Sequence, residues 1–153
     1  MKSLINKHKK NNRNIVSKTL FLTLALIFSS FIGFSQDGIT ITVNIDNVPN
    51  NEGVVGMALH NQNTFMKTAP VKAKTSKIEN NKVVITFKNI APGEYAILAN
   101  HDANNNGKMD FKENGMPLES YGASNNVMNF GPPQFSDSKF TVLDKDLELN
   151  IRF

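Results

Sequence analysis

Apolar side chains return at every second position in one stretch of this chain after another, and that period constrains its fold more than any other feature. From Ile39 to Asp46, Ile39, Ile41, Val43 and Ile45 alternate with Thr40, Thr42, Asn44 and Asp46. Successive side chains of an extended strand point to opposite faces, so this run offers one face to a core and the other to water. A Pro49-Asn50-Asn51-Glu52-Gly53 turn leads to Val54–His60, where Val55, Met57 and Leu59 share a face and Gly56 leaves a gap on the other. Lys82–Asn89 alternates through Val83, Ile85 and Phe87, and after Ala91-Pro92-Gly93 the run Glu94–His101 does so through Tyr95, Ile97 and Ala99. Lys139–Leu143 and Leu147–Phe153 read as a hairpin around Asp144-Lys145-Asp146, with Leu147, Leu149, Ile151 and Phe153 inward. Ala69–Ile78 carries Lys72, Lys74 and Lys77 without bulky alternation, and is either an edge strand or a surface loop. No stretch beyond the leader has convincing helical periodicity. About six or seven short strands at this spacing point to an all-β, antiparallel two-sheet sandwich. Its expected core holds Ile41, Val43, Leu59, Ile85, Phe87, Ile97, Leu149 and Ile151.

The first 35 residues read differently. Lys2, Lys7, Lys9, Lys10, Arg13 and Lys18 precede any acidic residue, and an uncharged, largely apolar run from Thr19 to Phe34 follows. Gly33-Phe34-Ser35 then frames a cleavage site before Gln36, the pattern of a secretory signal peptide. The run is 16 residues long, shorter than the roughly 20 that cross a bilayer comfortably, and an uncleaved anchor is the alternative. The formal charge of +4 belongs to this leader. Residues 36–153 carry 11 basic and 13 acidic side chains, which removes the main support for a nucleic-acid partner. The chain has no cysteine, so it has no disulfide and is expected to be released and not lipid-anchored. The expectation is a secreted or periplasmic protein without stable membrane insertion after cleavage, a single domain over 36–153 held by its core and helped by a bound ion.

One long stretch, Asp102–Ser138, breaks the strand pattern. At 37 residues it exceeds the usual sandwich loop, and such loops are often functional. It opens with Asp102-Ala103-Asn104-Asn105-Asn106-Gly107-Lys108-Met109-Asp110-Phe111-Lys112-Glu113, which matches the twelve-residue calcium loop D-x-[DN]-x-[DN]-G-x5-E at every specified position. The spacing has a chemical reason. Asp102, Asn104 and Asn106 converge on one centre, Gly107 makes the sharp turn and Lys108 supplies a carbonyl. Asp110 holds a water and Glu113 closes the sphere with two oxygens. The flanking helices of an EF-hand are missing, and a turn that satisfies its own backbone with Asx side chains is the alternative. Ca2+ is the expected cofactor.

Two resemblances bear on this reading. Pro92-Gly93-Glu94-Tyr95 is similar to the start of a strand in transthyretin-like and carboxypeptidase-regulatory-like domains, which favours an immunoglobulin-like or transthyretin-like sandwich. Gly115-Met116-Pro117-Leu118-Glu119-Ser120-Tyr121-Gly122-Ala123-Ser124-Asn125-Asn126 and Phe130-Gly131-Pro132-Pro133-Gln134-Phe135 form a second cluster. With His101-Asp102 and Asn104-x-Asn106-Gly107-Lys108-x-Asp110, it resembles a family of secreted bacterial proteins catalogued as domain of unknown function 2141. The likeness runs from Ile39 to Phe153 and is strongest from Tyr95 to Phe140. It implies a small exported β-sandwich and no established activity. Ala123 stands where members often carry a larger apolar residue.

Two function classes follow. The first is a non-enzymatic envelope or extracellular module whose calcium-stabilised loop presents His101, Glu119, Tyr121, Ser124, Asn125, Asn126 and Phe130 to an envelope protein or a glycan. In a plainer version, Tyr121 and Phe130 plug the sandwich end, and the His101 imidazole orients the loop through a backbone hydrogen bond. The second is a small secreted hydrolase using His101 and Glu119. Against it stand the lack of a G-x-S-x-G elbow and of any cysteine nucleophile. Beyond the leader only His60 and His101 are available for a zinc site, and their spacing is not that of a ligand pair.

Overall fold

The computed structural model describes residues 38–127 and 131–153. The expected leader with its expected Ser35/Gln36 cleavage site, and Phe130, lie outside the described residues. Asp37–Phe153 forms one compact unit.

Strands β1 (Ile39–Ile45), β4 (Val83–Ile90) and β8 (Leu147–Asn150) make a three-stranded sheet in the order β4-β1-β8. The second sheet has the order β3-β2-β5-β6, built from β2 (Val54–His60), β3 (Lys72–Lys77), β5 (Gly93–Asp102) and β6 (Tyr121–Ala123), with β7 (Phe140–Val142) also paired to β5. The alternating runs become strands with the expected facing. Ile41 and Val43 pair with Phe87 and Ile85 across β1 and β4, and all four are buried. Leu59 and Ile97 are opposite one another on β2 and β5, also buried. One continuous cluster joins these two inner faces with Ile45, Met57, Val142 and Ile151, while Leu147, Leu149 and Phe153 pack partly buried against it. Each fully buried Ile, Leu or Phe adds about 1.5–3 kcal/mol of hydrophobic stabilisation. That cluster holds the two sheets together where no disulfide does.

Ala69–Ile78 resolves as an edge strand: Lys72–Lys77 pairs antiparallel with β2. Its lysines reach the edge of the opposite sheet, where Lys72 Nζ donates to the Lys88 carbonyl at 2.6 Å and Lys74 Nζ to the Thr86 carbonyl at 2.6 Å. The β4 edge thus presents carbonyls capped by charge, a guard against edge-to-edge association.

The expected C-terminal hairpin is not formed. β7 pairs antiparallel with Gly93–Tyr95 of β5, and β8 lies parallel to β1 with Val43 opposite Leu149. Asp144-Lys145-Asp146 therefore carries the chain from one sheet to the other, and Asp146 Oδ1 accepts the Thr40 N–H at 2.8 Å. The reason lies in unpaired backbone. β6 covers only Leu98–Asn100 of the ten-residue β5, and β1 needs a second neighbour, so the two C-terminal segments fill different edges. The long stretch after Asp102 is also more structured than its sequence implies, since it contains β6, a 3-10 turn at Ser124–Asn126 and one helical turn at Phe135–Ser138.

Candidate functional site

The β2–β5 ladder ends with Val54 opposite Asp102, which delivers the first residue of the loop in a fixed and buried position. Asp102 then organises the turn. Its Oδ1 accepts the Asn106 N–H at 3.0 Å and its Oδ2 the Gly107 N–H at 2.8 Å. Asn104 Oδ1 accepts the same Asn106 N–H at 3.0 Å, and Asn106 Oδ1 accepts that of Lys108 at 2.8 Å. These are Asx turns, in which a short side chain replaces a backbone acceptor. Gly107 has φ +73° with open space around its missing Cβ, so its requirement is conformational and not steric. Asp110 closes the ring from the other side, as its Oδ2 accepts Asn104 Nδ2 at 2.7 Å and Asn106 Nδ2 at 2.9 Å.

The third carboxylate on this ring is Glu119. Its Oε1 accepts the Ala103 N–H and its Oε2 the Asp110 N–H, each at 3.2 Å. Glu113, the expected twelfth-position residue, is exposed and has no hydrogen bond to any described residue. After Asp110 the chain folds back on itself instead of entering a helix. Phe111 bridges Pro117, Lys112 N–H donates to the Met116 carbonyl, and Leu118 N–H returns to the Asp110 carbonyl at 2.8 Å. That fold-back leaves Glu113 in its turn and brings Glu119 to the loop.

Among the described residues no three His, Cys, Asp or Glu side chains gather into a metal site. The donor chemistry here is of another kind: carboxylates of Asp102 and Asp110, amide oxygens of Asn104 and Asn106, and the Lys108 carbonyl. All are hard oxygens, the set that suits calcium and not zinc. Each amide oxygen keeps a second lone pair beyond the one its backbone N–H uses. The residues present fit the ion once the Asn104 and Asn106 amide N–H groups swing off Asp110.

The remaining expected residues divide by what they touch. Buried His101 has its Nε2 2.8 Å from the Glu52 carbonyl, so Nε2 carries the proton and ties the loop root to the β1–β2 turn. His60 and His101 sit at opposite ends of the β2–β5 ladder, opposite Ala96 and Val55, and do not meet at a shared zinc. No hydrogen bond joins His101 to Glu119. Ser124 Oγ accepts the Ile97 N–H at 2.9 Å and donates to the Ser138 carbonyl. Asn125 Nδ2 donates to the carbonyls of Asp137 and Lys139, and Asn126 binds the Asn150 carbonyl and the Arg152 N–H. These three side chains turn inward to their own chain. Tyr121 is exposed.

A feature the sequence reading missed lies beside the loop. The outer face of β2 and β5, carrying Ala58, His60, Leu98 and Asn100, forms the floor of a cavity of about 910 Å3 walled by Gly107–Met109, Phe111, Met116 and Tyr121. Its one sequence signal is small Ala58 on the outward face of β2, two positions from the gap at Gly56.

Fold and loop together define a small β-sandwich protein with an Asx-rich turn at the end of its central strand. A family model described as an uncharacterized protein conserved in bacteria, domain of unknown function 2141, matches residues 43–150, and the chain belongs to that family. No curated protein and no solved structure matches it.

Proposed function

We propose that this is an exported, non-enzymatic module of the bacterial envelope or the cell exterior, whose Asp102–Asp110 loop takes Ca2+ and, so ordered, supports a recognition surface for an envelope protein or a glycan. The observation that carries the reading is the convergence of Asp102, Asn104, Asn106 and Asp110 on one turn, with Glu119 bound to its backbone. Asp102, Asn104, Asn106, Asp110 and the Lys108 carbonyl are the ligands, and Glu119 supplies the closing carboxylate in place of Glu113. The ion acts structurally: it joins the Asp102 and Asp110 carboxylates across the turn and fixes the wall that Lys108 and Met109 contribute to the cavity. Tyr121, exposed and among the cavity's lining residues, is the residue of the expected recognition set best placed to meet a partner.

The export half of the reading rests on the basic start and apolar run before Gln36. N-terminal sequencing of protein recovered from periplasm or medium is expected to begin Gln-Asp-Gly-Ile, and full-length chain in the membrane fraction would overturn it. For the recognition half, a glycan array and a pull-down from envelope extract are run in calcium and in chelator. A partner retained only in calcium is expected, and one retained equally in both would separate recognition from the ion.

A further inference from the structure

The cavity beside the loop has the properties of a small-molecule site. Its volume of about 910 Å3 falls in the range of ligand pockets, roughly 300–1,000 Å3. Four large apolar side chains around it stay exposed, Met66 (61%), Phe111 (57%), Met116 (57%) and Tyr121 (41%), and exposed apolar surface gathered in one concavity marks a binding site. The charge is one-sided. Among the described lining residues Lys108 is the only charged one, and no described carboxylate pairs with its ammonium. His60 adds an independent sign. It lines the cavity, is buried, and keeps its Nδ1 without a hydrogen-bond partner among the described residues, a cost that proteins seldom leave standing.

We propose that this cavity binds a small amphipathic anion, an apolar chain or ring bearing one carboxylate-like head, with its body over Ala58 and Leu98 and its charge met by Lys108. The concave shape and the few polar side chains, His60, Asn100, Lys108 and Tyr121, suit one head group on an apolar body. The proposal does not rest on calcium, because Lys108 and the sheet floor are present with or without the ion.

The test is calorimetric titration of the purified protein with decanoate below its micelle concentration, in calcium and in chelator, beside decyltrimethylammonium, which keeps the chain and reverses the charge. Decanoate is expected to saturate one site at least about tenfold more tightly than the cation, the worth of one charge-assisted contact. Lys108→Ala should bring the two ligands to near parity, and Ala58→Phe should fill the floor and abolish binding. Phe111→Ala, at an exposed position that does not burden folding, should weaken decanoate severalfold even where Ala58→Phe fails to fold. Amide shifts on saturation should map to Ala58, Leu98, Asn100 and Lys108. The absence of saturable heat with decanoate in both conditions overturns the proposal, and so does equal affinity for the cation. A concentration-dependent dimer that shifts these same amides would give the cavity to a second copy of the chain and overturn it too.

Discussion

Ile97 shows how much one side chain carries in this fold. It is fully buried at the centre of β5, and its N–H is held by Ser124 Oγ from 27 positions along the chain. Ile97→Ala removes core contacts and opens a cavity, so chemical denaturation should show a loss of about 2–5 kcal/mol. His60 makes a second prediction. Burial strips water from its ring and pushes its pKa below the ordinary histidine value of 6.5, only partly offset by a backbone contact with Thr64. The folded state therefore binds that proton less readily than the unfolded chain, and stability rises with pH across this window. The contribution is fully present above about pH 6.5 and is lost as pH falls through the lowered value. Urea midpoints should drop from pH 7 toward 5.5, and His60→Gln should flatten that slope. Glu119 and Glu113 separate at the same scale. Glu119→Gln should abolish the rise in melting temperature given by calcium, whereas Glu113→Gln should leave it, and the opposite pattern would restore the twelfth-position reading.

The strands were readable from the sequence because burial follows a period of two, and Ile41, Val43, Ile85, Phe87, Leu59 and Ile97 lie where that period puts them. Period says which face is inward but not which neighbour a strand takes. Hence Phe140–Val142 and Leu147–Asn150, adjacent in sequence and both alternating, went to different sheets. Tyr121–Ala123 escaped notice because three residues with a central glycine carry no alternation, and its place is set by the edge of β5. The loop splits in the same way. Asp102, Asn104, Asn106 and Asp110 are close in sequence and could be read directly, while Glu119 arrives through the Lys112–Met116 fold-back and the cavity through segments far apart in the chain. The lysines of β3 give a prediction for whole elements. With Lys72 and Lys74 both changed to Ala, the carbonyls of β4 lose their caps, and light scattering should show faster aggregation, while the monomer keeps its fold.

At the scale of the whole molecule, a cysteine-free sandwich of this size depends on its core and on whatever orders its longest excursion from the sheets. Calcium bound to the folded loop but not to the unfolded chain would stabilise the molecule by mass action. At about 1 mM calcium and a Kd of about 0.1 mM the gain is roughly 1.4 kcal/mol, enough to raise the melting temperature by several degrees. The proposed site has no flanking helices and takes two of its five side-chain ligands from amides, so the expected Kd is that of weak extracellular calcium modules, roughly 10⁻⁴ to 10⁻³ M. Magnesium, smaller and octahedral, should substitute poorly. The decisive measurement is a calorimetric titration of chelator-treated protein with calcium up to about 10 mM, beside Asp102→Ala and Lys108→Ala. Saturable heat in that range, lost in Asp102→Ala and kept in Lys108→Ala because only the Lys108 carbonyl is used, is the expected result. No heat, with identical melting in calcium and in chelator, would contradict it and leave the Asx turns of Asp102, Asn104 and Asn106 as a self-sufficient loop.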